Sequence, residues 1–136
     1  MIVADSNLIA YLLIPGDRNN VSEEVLRRDS HWAAPLLWRS EFRNILTLYM
    51  RHEGMVVEQA KITISKAERL LSDREYTVNS ESVLDFVQKT NLSAYDAEFV
   101  VLAEQFNTKV VTTDSKLLKE APERAVSPEE FLGIEC

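Results

Sequence analysis

The chain has 136 residues, of which 46% are hydrophobic, and a formal net charge of −7 at pH 7. This length and apolar content fit one domain with its own core, and we predict a single domain over residues 1–136. The acidic balance excludes a protein that coats nucleic acid through a basic surface, although it allows an enzyme with a small acidic site.

Strands and helices are predicted to alternate along the chain. Short apolar runs predict strands over residues 2–4, 31–34, 76–78, 109–113 and 124–126. Apolar residues at helical spacing predict helices around residues 8–13 and over 20–28, 36–52, 56–71, 81–89, 94–106 and 114–118, with a turn at the C-terminus. The alternation predicts an α/β fold in which helices cover both faces of a parallel sheet.

Three features of the sequence favour a cytoplasmic protein. The only cysteine is Cys136, so an intrachain disulfide cannot form, as expected in a reducing compartment. No apolar run approaches the ~20 residues that span a bilayer, so we expect no membrane association. The N-terminal sequence MIVADSN has neither the basic region nor the long apolar stretch of a signal peptide.

Four carboxylates lie where one predicted element gives way to the next. Asp5 and Asp114 each follow a strand, whereas Glu41 and Asp96 lie near the start of helices. In a parallel sheet these positions meet at the edge formed by the carboxyl ends of the strands. Clustered carboxylates raise one another's pKa unless a cation neutralises them, and an all-oxygen site suits Mg²⁺ or Mn²⁺. The pattern predicts metal-assisted phosphodiester chemistry.

Each of these acids also has a structural interpretation. Asp5 and Asp114 could be simple helix N-caps, and Ser93 to Asp96 has the spacing of a capping box. Glu41 is harder to explain this way, because no Lys or Arg lies three or four residues from it on the predicted helix. Burying an unpaired carboxylate is costly, so a metal site explains Glu41 better than a solvated surface does.

Neighbouring polar residues are candidates for supporting roles. Ser6 and Asn7 could orient Asp5 or hold water at the site, or they could cap the first helix. Thr112 could donate a hydrogen bond within the site or be an ordinary strand residue. Glu98 lies two residues beyond Asp96, and we expect it to point elsewhere and to be solvated.

The predicted helix over residues 36–52 is apolar almost all round. Only one stripe can face a sheet, so the excess, taken as Phe42, Leu46 and Tyr49, indicates contact with a partner protein or a second copy. The alternative is that these residues pack beneath the helix predicted over residues 56–71.

Four segments together resemble the PIN-domain ribonucleases, most closely the VapC-type toxins of toxin–antitoxin pairs: IVADSNLIAYLL, PLLWRSEFRNIL, LSAYDAEFVVLAE and KVVTTDSKLL. The resemblance implies a three-layer α/β/α fold with a central, mainly parallel sheet of about five strands. It also implies cleavage of single-stranded RNA with Mg²⁺ or Mn²⁺, a cognate antitoxin and a homodimer.

The resemblance also assigns roles to residues of this chain. The family's acidic quartet falls on Asp5, Glu41, Asp96 and Asp114, and its polar residue after the first aspartate falls on Asn7. The three aspartates are expected to hold one or two metal ions directly or through water. Glu41 is expected to complete that shell or to orient the attacking water.

Two other functions remain open. The chain could be a metal-binding PIN scaffold without catalysis, although the complete quartet disfavours this. It could also be a metal-dependent phosphatase or a phospho-acceptor domain. Phosphatases of the haloacid-dehalogenase type have Asp-x-Asp after the first strand, whereas this chain has Asn7 at the second position. Phospho-acceptor domains place a lysine after a late strand, whereas Lys109 precedes the predicted one.

Overall fold

A computed structural model describes residues 1–134, and Cys136 lies outside them. The strands of the described residues are β1 (Ile2–Ala4), β2 (Trp32–Pro35), β3 (Glu75–Tyr76), β4 (Val110–Val111) and β5 (Ala125–Val126). They form one sheet in the order β3-β2-β1-β4-β5, and every neighbouring pair is parallel. The central strand β1 is buried along its whole length, because helices cover both faces of the sheet.

Helices form the layers on the two faces of the sheet. They are α1 (Ser6–Leu13), α2 (Asn19–Arg28), α3 (Trp38–His52), α4 (Val57–Leu70), α5 (Ser80–Lys89), α6 (Ala94–Gln105), α7 (Ser115–Glu120) and α8 (Pro128–Leu132). Helix α1 contacts α2, α3 and α4, whereas α6 packs across β1, β2 and β4 with α5 beside it. The predicted three-layer α/β/α fold with a parallel sheet of five strands is confirmed. Within residues 1–134, no helix is long and apolar enough to cross a membrane.

The order of the strands reverses direction at β1. The chain moves from β1 to β2 on one side, and later returns to place β4 on the other side. Such a reversal opens a crevice at the carboxyl ends of the two strands, here β1 and β4. Ala4 pairs with Val111 at this edge, and the Asp5 N–H donates to the Val111 carbonyl at 3.2 Å. Asp5 therefore lies at the crevice.

The apolar face of α3 faces the core of the protein. Phe42 is 0% exposed and Leu46 is 5% exposed, and Tyr49 packs against the same core cluster. The interpretation of these residues as a partner surface is therefore wrong, and packing within the chain accounts for them. The large apolar residues that α3 leaves exposed are instead Leu48 and Met50.

The predicted C-terminal turn is wrong, because this segment forms helix α8. The Ser127 hydroxyl caps the helix by accepting from the Glu130 N–H at 3.0 Å, and Pro128 occupies the first helical position. Gly133 ends the helix with a φ of +75°, a left-handed conformation that favours glycine. These local signals suffice for a helix of one to two turns, which is too short for hydrophobic periodicity to reveal.

The start of α3 is held by contacts with the edge of the sheet. Its N-cap residue, Leu37, provides no side-chain capping bond. Instead, the Trp38 indole N–H donates to Glu75 Oε1 at 2.7 Å, and Arg39 donates to both carboxylate oxygens of Glu75 at 2.5 and 2.8 Å. These bonds, first of all those from Arg39, hold the pKa of Glu75 below its usual value. The first turn of α3 is thereby fixed to β3.

Candidate active site

Asp5 is a buried carboxylate at the end of β1, with an exposed fraction of 7%. It occupies the N-cap position of α1, yet its side chain makes no capping hydrogen bond. Instead, the Thr112 hydroxyl donates to Asp5 Oδ2 at 2.7 Å. The capping interpretation is therefore wrong for this side chain, which Thr112 holds within the crevice.

Asp114 both caps a helix and belongs to the acidic group. Its Oδ1 accepts from the backbone N–H groups of Lys116 and Leu117 at 2.8 and 3.2 Å, so the capping interpretation is confirmed here. Its own N–H donates to Thr112 Oγ1 at 2.9 Å. Thr112 therefore links Asp114 to Asp5, and its hydroxyl is a site contact rather than that of an ordinary strand residue.

Glu41 is half-buried in the first turn of α3 and receives a hydrogen bond from α1. The buried Ser6 hydroxyl donates to Glu41 Oε1 at 2.7 Å. Ser6 contacts both acids, because its hydroxyl serves Glu41 while its backbone forms a hydrogen bond that lowers the pKa of Asp5. Asn7, the next residue of α1, is exposed.

Asp96 is half-buried in the first turn of α6. The Ser93 hydroxyl accepts from its backbone N–H at 3.1 Å, so the capping contact that the sequence indicated is present. Burial and then the charge of Asp114 raise the pKa of Asp96, whereas Ser93 and the charge of Lys116 act in the opposite direction. Lys116 on α7 is thus a cation near the acidic group.

Neighbouring acids contribute to the raised pKa values of Asp5, Glu41 and Asp96. Burial, with smaller contributions from the charges of Asp114 and Asp96, raises the pKa of Asp5 to about 6, against the opposing hydrogen bonds from Thr112 and the Ser6 backbone. Burial likewise raises the pKa of Glu41, with contributions from Asp5 and Asp96. The fold therefore brings together side chains that lie up to 109 positions apart in the sequence, at one edge of one sheet.

Glu98 is less solvated than the sequence predicts. It is half-buried, burial raises its pKa, and its charge contributes to the raised pKa of Glu41. The prediction considered only the angle between positions 96 and 98 on one helix. Glu41 comes from a different element, and no spacing in the sequence relates it to Glu98.

The donor set fits Mg²⁺ or Mn²⁺ in its chemistry. All of the donors are carboxylate oxygens, and burial, with smaller contributions from neighbouring acids, raises the pKa values of Asp5, Glu41 and Asp96, so that a cation would favour their ionised forms. Within residues 1–134, however, no three His, Cys, Asp or Glu side chains are grouped so that they could hold a metal ion by themselves. A hard cation that keeps several of its waters needs only one or two direct carboxylates, so a largely hydrated ion suits this arrangement.

We expect the Thr112→Val variant to weaken the site without unfolding the protein. The loss of the hydroxyl removes a hydrogen bond that lowers the pKa of Asp5, so this pKa should rise further above 6. Carbon-13 NMR titration of the aspartate carboxyls in metal-free protein would measure the change. The Thr112→Ser variant keeps the hydroxyl and should restore the wild-type pKa. An unchanged Asp5 pKa in Thr112→Val would contradict the proposed role of the hydroxyl.

Comparison with known proteins places the fold. No protein-family model and no curated protein matches the sequence. A chain of the toxin–antitoxin complex from Klebsiella pneumoniae superposes with a TM-score of 0.69 and 15% sequence identity, over 94% of this chain and 98% of that chain. The fold is one found in toxin–antitoxin complexes.

Two further solved structures have the same fold. FitAcB from Neisseria gonorrhoeae gives a TM-score of 0.74 at 16% identity, over 94% of this chain and 98% of that one. FitAB bound to an IR36 DNA fragment gives a TM-score of 0.71 at 17% identity, over 94% and 95% of the two chains. Nearly the whole length of each matched chain is therefore represented, and at these identities the likeness concerns the fold.

Proposed function

We propose that the chain is a Mg²⁺- or Mn²⁺-dependent endoribonuclease that cleaves single-stranded RNA, and that it is the toxin of a VapC-type toxin–antitoxin pair. The observation that carries this proposal is the group of Asp5, Glu41, Asp96 and Asp114 near the crevice between β1 and β4, where neighbouring acids contribute to the raised pKa values of Asp5, Glu41 and Asp96. The shared fold with a chain of a toxin–antitoxin complex supports the biological context.

The residues of the site would have different roles in the reaction. Asp5, Asp96 and Asp114 would hold the cation directly or through water. The bound cation would supply positive charge to stabilise the developing charge on the scissile phosphate. Ser6 occupies one oxygen of Glu41, so that the carboxylate is held in a defined orientation from which it can position the attacking water. Lys116 would help to hold the phosphate of the substrate.

The proposal includes partners. A cognate antitoxin is expected because the superposed Klebsiella chain comes from a toxin–antitoxin complex. A homodimer and a cytoplasmic location follow from the family resemblance and the composition. Light scattering of the purified chain, and co-purification with the product of the adjacent reading frame, would test these expectations.

The decisive experiment for the enzymatic function is metal-dependent RNA cleavage. We expect the wild-type protein to cut single-stranded RNA with Mg²⁺ or Mn²⁺ and to stop when EDTA is added. The Asp96→Asn variant should lose at least ~100-fold in rate, because a carboxylate near the cation is removed while the Ser93 capping bond to the backbone is kept. As a control for folding, the circular dichroism spectrum of the variant should match that of the wild-type protein. Full activity of Asp96→Asn would overturn the assignment.

The same preparation separates the other two functions. A phosphatase or a phospho-acceptor domain would react with acetyl phosphate in the presence of Mg²⁺, whereas the proposed nuclease would not. A non-catalytic scaffold would bind the metal in calorimetry and leave RNA intact. The fold favours the nuclease, because it is shared with a chain of a toxin–antitoxin complex.

A further inference from the structure

Helix α6 leaves a large aromatic side chain exposed directly before Asp96. Tyr95 is 63% exposed, whereas the helix buries nearly all of its residues from Ala97 to Ala103. Among residues 1–134, the Tyr95 ring belongs to no aromatic pair and lies beneath no cation. Exposing the faces of an aromatic ring to water is unfavourable, because they lose the burial that packing would give. The ring is thus an exposed apolar surface next to one of the four acids.

The contacts of α6 place its first turn at the carboxyl edge of the sheet. The helix ends at Gln105, and the hydroxyl of Thr108, which follows it, donates to the Met1 carbonyl at 2.6 Å. Met1 directly precedes β1, so α6 ends near the amino edge of the sheet. From there the helix packs across β1, β2 and β4, and its 12 residues span about 18 Å, against about 10 Å for the 3 residues of β1. Tyr95 therefore lies beyond the carboxyl end of β1, the end that Asp5 follows.

Tyr95 lies on the face of α6 that turns toward β3. Residues 4 or 11 positions apart share a helix face, so Tyr95 shares its face with Phe99 and Phe106. Phe99 is buried in the main core, and the Phe106 ring contacts the Tyr76 ring of β3 with centroids 4.7 Å apart. At the carboxyl edge this face leads out of the core, which leaves the ring of Tyr95 in solvent.

Asp96 heads the neighbouring face of α6, which turns toward α7. Val100, one turn beyond Asp96, packs in an apolar cluster with Leu117 of α7. Lys116, the residue before Leu117, is exposed in the first turn of α7. Across the carboxyl edge, the order is therefore a lysine on α7, then Asp96, then the Tyr95 ring on the side of β3.

This order matches what a single strand of RNA requires. Proteins that bind single strands combine cations, which attract the backbone, with aromatic rings, on which the bases stack. The bases of single-stranded RNA are available for such stacking, whereas those of a duplex are stacked on each other. A ring directly beside an acid of the proposed cleavage site meets a nucleotide next to the cleaved bond. A base is therefore favoured over an apolar side chain of a protein partner as the group that covers Tyr95.

We propose that Tyr95 stacks on an unpaired base of the RNA, that of a nucleotide directly flanking the cut. The inference rests on the proposed nuclease function and names a residue by which that site binds its substrate. Every base has an aromatic face, so stacking tolerates all four bases. Tyr95 would thus favour unpaired strands over duplexes without selecting a sequence.

Steady-state cleavage of a single-stranded oligonucleotide tests the contribution of the ring. Tyr95→Ala should raise KM by about 5- to 150-fold, the range for loss of one stack between a base and an aromatic side chain. The loss should fall in KM rather than kcat, because the stack forms with bound substrate and transition state alike. Tyr95→Phe keeps the ring and should restore KM to within about twofold of wild type. Ile62→Ala is the matched control, since Ile62 is 57% exposed on α4, a helix that packs against α1 and α3.

Abasic nucleotides give a second readout, which identifies the stacked base. The Asp5→Asn protein, which should leave RNA uncut, would be titrated with oligonucleotides that carry one abasic nucleotide at successive positions around the cut. At one position, loss of the base should weaken binding in fluorescence anisotropy about as much as Tyr95→Ala does. The two changes together should weaken binding no more than either alone, because both remove the same stack. A merely structural role of Tyr95 would give losses that add.

The outcomes separate this inference from the nuclease function. An unchanged KM in Tyr95→Ala, or additive losses at every abasic position, would overturn the inference and leave the nuclease function standing. Unaltered RNA binding with weakened binding of a protein partner would also overturn it, and would assign the ring to that partner. Absence of RNA cleavage by the wild-type protein would overturn the nuclease function itself, and the inference of a base held beside the cut would fall with it.

Discussion

The Asp5→Asn variant should lose RNA cleavage by at least ~1000-fold and, without metal, be more stable than the wild-type protein at neutral pH. Burial raises the pKa of Asp5 from 3.8 to about 6. A folded-state pKa above the unfolded value means that ionised Asp5 destabilises the fold above pH 6 and that this penalty disappears below about pH 4. One pKa unit corresponds to ~1.4 kcal/mol, so the penalty at pH 7.5 is about 3 kcal/mol. Asparagine has nearly the same shape and no charge.

Urea unfolding in EDTA would measure this gain, which should reach up to about 3 kcal/mol at pH 7.5 and vanish at pH 4. Asp29→Asn is a control for which the opposite change in the free energy of unfolding is expected. Despite the opposing effect of burial, the N-terminal ammonium at 2.8 Å and the His31 N–H hold the pKa of Asp29 below its usual value. That variant should be less stable than wild type at pH 7.5, since a lowered pKa contributes stability above the unfolded pKa. An Asp5→Asn protein that is less stable than wild type at pH 7.5 would show that burial does not disfavour the ionised carboxylate.

The Phe42→Ala variant should be destabilised by about 3–5 kcal/mol. Phe42 is fully buried, and its ring meets the Trp38 ring edge-on with centroids 5.8 Å apart. Truncation removes apolar burial and leaves a cavity that the surrounding helices fill only partly. Chemical denaturation would give the free energy of unfolding, with Leu48→Ala as the control. Leu48 lies on the same helix but is 48% exposed, so its truncation should change stability by less than about 1 kcal/mol.

This pair of variants also separates the two interpretations of α3. If Phe42→Ala instead kept its stability and changed the oligomeric state in light scattering, the helix would have to present that face to a partner. The structure predicts the opposite result. Replacing Phe42 should lower the stability of the fold, and only exposed residues such as Leu48 should affect association.

The sequence predicted the elements and the position of the acids well where local signals decide. The bounds of β1 are those expected, because the apolar run of residues 2–4 ends at a charged residue. Asp5 and Asp114 were placed at the crevice by the rule that carboxyl ends of parallel strands share an edge. Strand β4 is shorter than predicted, with Val110–Val111 in place of residues 109–113, because only these two residues are in register with residues of β1 and β5.

The details of the site could not be predicted, because they depend on contacts between distant segments. Ser6 and Glu41 lie 35 positions apart, and Asp5 and Thr112 lie 107 apart. No periodicity relates residues at such separations. The same reason explains why the effect of the Glu98 charge on the pKa of Glu41 could not be predicted, since the two residues belong to different helices. Helix α3 has apolar residues on most sides, so the pattern alone could not show which of them face the core.

The attachment of α3 to the edge strand has a consequence for the lifetime of the site. Helix ends without a capping side chain open readily, and local opening governs hydrogen exchange in such segments. The first turn of α3 begins at Leu37 without such a cap and carries Glu41. Its closure depends on the bonds from Trp38 and Arg39 to Glu75 in β3, a strand of two residues. Opening of the β3 edge would therefore remove these bonds from the turn that carries Glu41 and leave the Ser6 hydroxyl to hold its carboxylate.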